Sequence, residues 1–447
     1  MLSFLFVSVV ICTLVYFFYL CKISGINLLK PTIISLFLVM YILFAFIGLV
    51  PLFFGWDEYR VLTGVNDTYN ILKLWFFSST ALFCLFLGFL FSNRIMKMNS
   101  DHNIITKDQL TLTVASKIIL LLIFIICTFV LIIYITKLPA IPIVQLLLGA
   151  TTEEIKVLRT ASTTGFSGGY HWYALFFNSI LTFLCFVTFA EVIKYKTRLN
   201  LLIFLIVGGV SFFAVVLPTH KAPAIWLIIG LIITYLIVKK RNISLKYLFL
   251  LSIISLPILI LMYKFFMGYE NRSILEIINN IFSRTLTGQL TPAYYYLEIF
   301  PEKIDYLLGR SFPNPGDIFP WEHFRITVEV MNYMNPSLLS SDVIGTAPAV
   351  FWAEMYANFG FFAIIISSIM VGVILYSIQY YILKLPITSV SIGLNVWLML
   401  EFQKLVLTGL SSFFLNIDLF VIILIGMILI KYESKNINSN ILERYIA

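Results

Sequence analysis

The segment Pro218-Thr219-His220-Lys221-Ala222-Pro223 places a histidine and a lysine between two prolines. The ammonium group of Lys221 could bind an anion there, and a helix that begins at Ala222 or Pro223 would add positive potential from its N-terminus. The alternative is a lysine whose apolar stem lies at a membrane interface while its charge reaches water. Both interpretations stay open, because the prolines fix the turn without showing what it binds.

A second candidate lies upstream, where the sequence from Thr151 to Arg159 predicts a short capped helix. Thr151 is a suitable N-cap, and Glu153 and Glu154 suit the first turn. Arg159 would then lie at the C-terminal end of this helix. It either contacts a substrate or is a solvated side chain on a surface helix.

Residues 273–284 predict an amphipathic helix with four isoleucines on one side. Arg272, Glu276, Asn280 and Arg284 recur every four residues along the other side. Such a helix could lie on a membrane surface with its arginines facing lipid phosphates or a pyrophosphate. Alternatively, Arg272 and Glu276 form an exposed ion pair worth about 0.3–0.5 kcal/mol.

Aromatic and polar residues occur together in two further segments, 309–315 with Arg310, and 319–325 with Glu322, His323 and Arg325. Aromatic rings stack on the apolar face of a sugar while polar groups bind its hydroxyls, so this mixture suits a carbohydrate. His323 or Glu322 is a candidate general base. Packing of a proline-rich loop would explain the aromatic residues equally well.

The segment 344–360 contains a carboxylate, Glu354, close to an apolar run. Thr346 predicts a helix cap and Pro348 fits the first turn. Glu354 and Asn358 would then share one helix face with Phe351. A carboxylate at a membrane edge is costly to bury and usually has a function, although a helix-end glutamate exposed to water is the alternative.

The composition of the chain indicates which class of protein positions these residues. Of 447 residues, 60% are hydrophobic and 12% are charged, with a mean hydropathy of +0.98. That balance excludes a soluble enzyme, a nucleic-acid-binding domain and a disordered chain. The net charge of +8 is expected from positively charged cytoplasmic loops. The five cysteines have no metal-ligand or redox spacing.

The apolar segments predict an all-α, polytopic integral membrane protein with about eleven spans (ten to twelve). Residues 2–20 lack a small-residue cleavage signal, so we expect a retained span there. The expected spans are 2–20, 32–54, 71–92, 118–136, 173–192, 200–217, 224–238, 247–267, 361–382, 387–403 and 415–430.

The distribution of basic residues predicts an outside N-terminus and an inside C-terminus. The whole chain, 1–447, is then one membrane domain with two long loops on the outer face. We call 137–172 the first long loop and 268–360 the second long loop. Seven of the fifteen prolines lie in the second long loop, which predicts a rigid, irregular structure with short helices.

Three of these features give the chain a resemblance to a known family. They are the turn 218–223, the second long loop with Phe312-Pro313-Asn314-Pro315, and Gly345-Thr346-Ala347-Pro348 followed by residues 353–360. In these patches and in its layout, the chain resembles the bacterial O-antigen and capsule repeat-unit polymerases (Wzy-type). Many relatives have arginine where this chain has Lys221, which keeps the charge but loses the bidentate fork.

The resemblance implies an integral-membrane glycosyltransferase fold of the GT-C type in the bacterial inner membrane. Such enzymes join undecaprenyl-pyrophosphate-linked repeat units at the periplasmic face, with the lipid pyrophosphate as leaving group. The implied partners are the lipid-linked glycan donor and acceptor, membrane lipids and a chain-length regulator, with no nucleic acid. The outer loops lack an Asp-x-Asp motif, so we expect no metal and no cofactor.

On this resemblance, the candidate residues take specific roles. Glu354 and His323 would be catalytic, and His220, Glu322, Tyr356 and Asn358 would contact the substrate. The pyrophosphate would be bound by Arg159, Lys221, Arg272, Arg284, Arg310 and Arg325. An O-antigen ligase-type transferase or a flippase for lipid-linked sugars is the alternative, although a flippase should carry its charges along a mid-membrane path.

Overall fold

The computed structural model describes most of the chain. The described residues are 2–96, 112–163, 165–244, 246, 249, 253, 256, 257, 259–261, 263, 264, 272–336 and 345–446. The side chains of Leu2, Thr152, Lys221 and residues 434–446 lie outside this description.

The described residues form helices and no β-strand, so the predicted all-α class is confirmed. The α-helices are Leu2–Ile23, Ile33–Ile42, Leu49–Phe53, Glu58–Leu62, Thr68–Met96, Val114–Thr136, Pro142–Leu147, Thr152–Ser162, Tyr170–Ala174, Leu181–Tyr195, Arg198–Val216, Lys221–Val238, Ile274–Phe282, Gly288–Ile299, Ile326–Met334, Phe351–Phe359, Phe361–Lys384, Ser389–Phe402, Leu410–Phe414 and Ile417–Ile446. The π-helices are Leu43–Ile47, Leu175–Ile180 and Ser283–Thr287.

Eight helical stretches within the described residues are long and apolar enough to cross a membrane, which makes this a multi-pass protein by length and composition. They are Ser3–Ile23, Ile33–Phe53, Thr68–Met96, Val114–Thr136, Tyr170–Tyr195, Arg198–Val216, Phe361–Lys384 and Leu410–Glu433. Two other predicted spans form shorter helices, Ala222–Val238 and Ser389–Phe402. The predicted span 247–267 falls largely outside the described residues.

Glycines bring two of the long helices into direct backbone contact. A Cβ atom added at Gly88 would lie 2.4 Å from the carbonyl oxygen of Ile369, and one at Gly372 would lie 2.3 Å from that of Leu85. Small residues at such positions allow close helix packing where no hydrophobic effect drives association. The helices Thr68–Met96 and Phe361–Lys384 therefore pack closely, and the helices Gly288–Ile299 and Phe351–Phe359 of the second long loop contact this pair.

The helix Ser389–Phe402 is buried on nearly all sides. It packs against the helices Leu181–Tyr195 and Ile33–Ile42. Gly393 permits the first contact, since a Cβ there would lie 2.5 Å from a methyl group of Val187. A helix that is apolar on every face is expected in the interior of the molecule, which explains why 387–403 has the composition of a span although only 14 residues are helical.

The described residues of the second long loop form four α-helices of 9–12 residues, joined by backbone hydrogen bonds between distant segments. Leu307 N donates to Ala357 O and Leu308 N to Asn358 O, both at 3.0 Å. The expected cap at Thr346 is wrong, because the helix begins at Phe351 with Val350 as its N-cap. The reason is a long-range contact, in which Ala347 N donates to Thr327 O at 2.8 Å and holds the preceding residues extended.

Candidate functional site

A cavity of about 1040 Å³ lies between the short helix Glu58–Leu62 and the second long loop. We call it the large cavity. Its lining joins basic, acidic and amide side chains, among them Asp57, Glu58, Arg60, Arg272, Asn279, Asn280, Arg284, Gln289 and Asn335. It is therefore a polar site, large enough for more than one chemical group of a ligand.

Two of the predicted arginines reach this cavity from the predicted amphipathic helix and its continuation. The helix is confirmed as Ile274–Phe282, and Ser273 caps it. Arg272 lines the cavity and pairs with Glu276 at 3.7 Å, with both side chains more than half exposed. Arg284 follows in the π-helix Ser283–Thr287, a geometry that often occurs at functional sites.

Arg159 lies beside the turn 218–223. The predicted helix is confirmed as Thr152–Ser162, and Thr151 and Glu154 form a capping box at its start. The Nε atom of Arg159 donates to Thr219 Oγ1 at 3.1 Å. Burial lowers the pKa of Arg159 and the charge of Arg284 lowers it further, so arginines from the two long loops act on each other.

Within the turn 218–223, His220 is the N-cap residue of the helix Lys221–Val238. Partial desolvation and the charge of Arg159 lower the pKa of His220, which favours the neutral imidazole. The helix begins one residue before the predicted start. The predicted anion contact of the Lys221 side chain lies outside the described residues.

A second cavity of about 140 Å³ contains the predicted catalytic pair. We call it the small cavity. Glu354, His323 and Arg325 line it together, and the hydroxyl-bearing residues Ser311, Thr327, Thr346, Thr408 and Ser412 complete its polar wall. Thr346 also lines the large cavity, so the two cavities adjoin at this residue.

Glu354 is only 3% exposed, and three hydrogen bonds hold its carboxylate. Ser411 donates both its backbone N–H, at 2.9 Å, and its hydroxyl, and Ser311 Oγ donates at 3.3 Å. Burial raises the pKa of Glu354, while the hydrogen bonds from Ser411 and Ser311 oppose that shift. This carboxyl group is therefore held in a fixed orientation at the cavity wall.

His323 approaches the same cavity with one ring nitrogen engaged. Its Nδ1 atom lies 3.0 Å from the carbonyl oxygen of Phe312. A carbonyl oxygen only accepts, so Nδ1 carries the proton in this contact. In the neutral ring the lone pair is then on Nε2, the form that a general base requires.

Two residues predicted to contact the substrate have their polar atoms bound within the protein. Asn358 is fully buried, accepts from Gly309 N at 2.9 Å and donates to Ser311 Oγ at 2.7 Å. Tyr356 is also buried, and its hydroxyl donates to Phe300 O at 3.2 Å. Their observed positions are those of residues that orient the second long loop.

Besides Arg159 and His220 at the turn 218–223, two other predicted residues lie outside the described linings of both cavities. Arg310 is exposed, and its Nε atom donates to the carbonyl of Leu307 at 3.2 Å. Glu322 is exposed as well. Arg325 therefore lines the small cavity, whereas Arg310 and Glu322 do not, although Arg310 O accepts from the neighbouring Phe324 N at 2.8 Å.

Sequence reasoning missed Arg60 and Ser411. Arg60 follows the N-cap Asp57 in a charged stretch between two spans, and this short run of polar residues was the available signal. Ser411 is separated from Glu354 by 57 positions. No local pattern connects those two residues.

Comparison of the chain with protein-family models, curated proteins and solved structures found no significant match. The family resemblance therefore depends on the residues themselves. Within the described residues, no group of three or more His, Cys, Asp and Glu side chains is arranged to hold a metal ion.

Proposed function

We propose that this protein is a membrane glycosyltransferase that polymerises undecaprenyl-pyrophosphate-linked oligosaccharide repeat units at the periplasmic face of the bacterial inner membrane. The observation that carries the proposal is the junction of the two cavities at Thr346. The arginine-containing cavity thereby adjoins a cavity with a buried carboxylate and an imidazole. Transfer of a glycan from a lipid diphosphate requires these two kinds of site side by side.

The large cavity would bind the departing lipid diphosphate. Its negative charge grows as the glycosidic bond breaks, so fixed cations stabilise the transition state more than the ground state. Arg284 and Arg272 line this cavity, and Arg159 acts electrostatically on Arg284. Guanidinium groups also match the geometry of phosphate oxygens.

The small cavity would activate the acceptor sugar. In this assignment, Nε2 of His323 takes the proton as the acceptor hydroxyl attacks the anomeric carbon and the bond to the diphosphate breaks. The fixed Nδ1 contact with Phe312 keeps Nε2 available. Glu354 stabilises positive charge on the imidazole and on the sugar, because its carboxylate is held in the same cavity.

Gel analysis of surface glycans from a deletion strain complemented with variants tests this proposal. Arg159→Ala, Arg284→Ala and Glu354→Ala should abolish the long-chain ladder while a single repeat unit still reaches the lipid core. Lys303→Ala is the matched control, because Lys303 pairs with Glu298 at 2.6 Å and lies outside the described linings. Its ladder should equal that of the wild type.

The same strains separate the alternative functions. Normal ladders from all three variants would reject the site assignment. A deletion strain that retains polymer but accumulates lipid-linked units in the cytoplasmic leaflet would instead support a flippase. Polymer that accumulates on the undecaprenyl carrier without transfer to the lipid core would support a ligase.

A further inference from the structure

We infer that Arg60 directly binds a phosphate-type oxyanion in the large cavity. Arg60 lies in the segment between the second and third spans, Ile33–Phe53 and Thr68–Met96. The inference rests on the proposed function, because a lipid diphosphate is the ligand that brings such an anion to this cavity. Arg60 lies in a segment that the proposed function does not otherwise use.

The first observation is an unsatisfied donor. The Nε atom of Arg60 is buried and has no hydrogen-bond acceptor among the described residues. Buried polar atoms in folded proteins are nearly always hydrogen-bonded, and a charged donor is the most costly one to leave unpaired. Arg60 also lines the large cavity, so a ligand there can reach its guanidinium group, while Nε itself is covered by protein.

The second observation is that neighbouring residues restrict the position of the Arg60 guanidinium group, although none of the described residues accepts from its Nε. Its carbon lies 5.1 Å from the centre of the Tyr59 ring. On another side it packs against Gly288, where an added Cβ would lie 2.7 Å from Nη2. The backbone N–H of Arg60 donates to Asp57 at 3.3 Å, which fixes the start of the short helix. The group is thus preorganised.

The third observation is the charge around Arg60. Arg284 and Arg272 line the same cavity, and the charge of Arg284 acts on Arg60. Asp57 attracts Arg60, and its carboxylate also accepts from the hydroxyl of Thr287. A ligand with two or more negative charges would relieve the repulsion between neighbouring guanidinium groups, which favours a phosphate or diphosphate over a single carboxylate.

The test uses the full-length protein in neutral phosphatidylcholine nanodiscs. Phenylglyoxal modifies accessible arginines, and mass spectrometry reports the rate at Arg60 of the wild-type protein. Inorganic pyrophosphate and farnesyl diphosphate are the soluble probes, and nanodiscs that contain phosphatidylglycerol present a phospholipid headgroup. Protection of Arg60 by any of them supports the anion site, and comparison among them identifies its source. Unchanged modification with all three overturns the inference.

Affinity for farnesyl diphosphate gives a second measurement. Arg60→Met should weaken binding by about tenfold, as expected for loss of a charge-assisted hydrogen bond. Arg60→Lys should bind with intermediate affinity because it keeps the charge and loses the fork. Lys303→Met, a cation outside the cavity lining, should bind as the wild type does. Equal affinity of folded Arg60→Met and wild type would contradict the inference, whereas failure of the polymerase proposal would appear only in the glycan ladder.

Discussion

At the scale of single residues, the carboxylate of Glu354 depends on a glycine that faces it. A Cβ added at Gly409 would lie 2.6 Å from Glu354 Oε2, well inside van der Waals contact. Gly409 has φ −64° and ψ 153°, a conformation open to any residue. The three atoms nearest to an added Cβ all belong to this carboxyl group, so alanine at this position acts on Glu354 first.

We predict that Gly409→Ala displaces Glu354 and removes the long-chain glycan ladder, as Glu354→Ala should. Gly209→Ala is the matched control, because a Cβ there meets no atom within 4 Å. Both proteins should be present in the membrane at wild-type levels, measured by immunoblotting. A normal ladder from Gly409→Ala would show that the orientation of Glu354 is unimportant.

Burial of Glu354 also predicts a pH dependence of stability. Its pKa is raised above the ordinary value of 4.5, so the folded state binds this proton more tightly than the unfolded state. The stabilisation is full below pH 4.5 and is lost as pH rises through the folded-state pKa. Relative to Glu354→Gln, the thermal midpoint of the purified wild type should therefore fall as pH increases from 4.5. Parallel curves for the two proteins would contradict this prediction.

At the scale of elements, the helix Phe351–Phe359 positions the loop that covers it. Its Asn358 binds both Gly309 and Ser311, and Ser311 in turn donates to Glu354. Asn358→Ala leaves the buried N–H of Gly309 without its acceptor, which costs about 1–3 kcal/mol, and it removes the hydrogen bond that orients Ser311.

The expected result for Asn358→Ala is a lower free energy of unfolding together with a weaker glycan ladder, measured by denaturation in detergent and by gel. Thr136→Ala provides the comparison, since that hydroxyl is exposed and donates to the carbonyl of Ile133 in its own helix. If Asn358→Ala is as stable as Thr136→Ala, the amide does not hold the loop.

Elements also show what the sequence predicts well. Spans and helix caps follow from local signals, such as the apolar run Val114–Thr136 or the capping box of Thr151 and Glu154. The predicted start of the helix that carries Glu354 was wrong, because the hydrogen bond between Ala347 and Thr327 delays that start to Phe351. The role of Ser411 was missed for the same reason, since tertiary contacts between distant residues leave no periodic pattern.

At the scale of the whole molecule, the proposals require both cavities to face the outside. The basic residues predict this orientation through the positive-inside rule. Leu62 and Leu308 are 85% and 71% exposed and lie at the predicted outer end, whereas Arg241 follows a span at its predicted inner end.

Cysteine labelling in intact spheroplasts checks this orientation directly. A membrane-impermeant maleimide should label Leu62→Cys and Leu308→Cys, and it should label Arg241→Cys only after the membrane is permeabilised. The background carries Cys12→Ser, because Cys12 is the exposed native cysteine and the other four are buried. If intact spheroplasts label Arg241→Cys but neither Leu62→Cys nor Leu308→Cys, the arginines of the large cavity face the cytoplasm. A periplasmic transferase could not use them there.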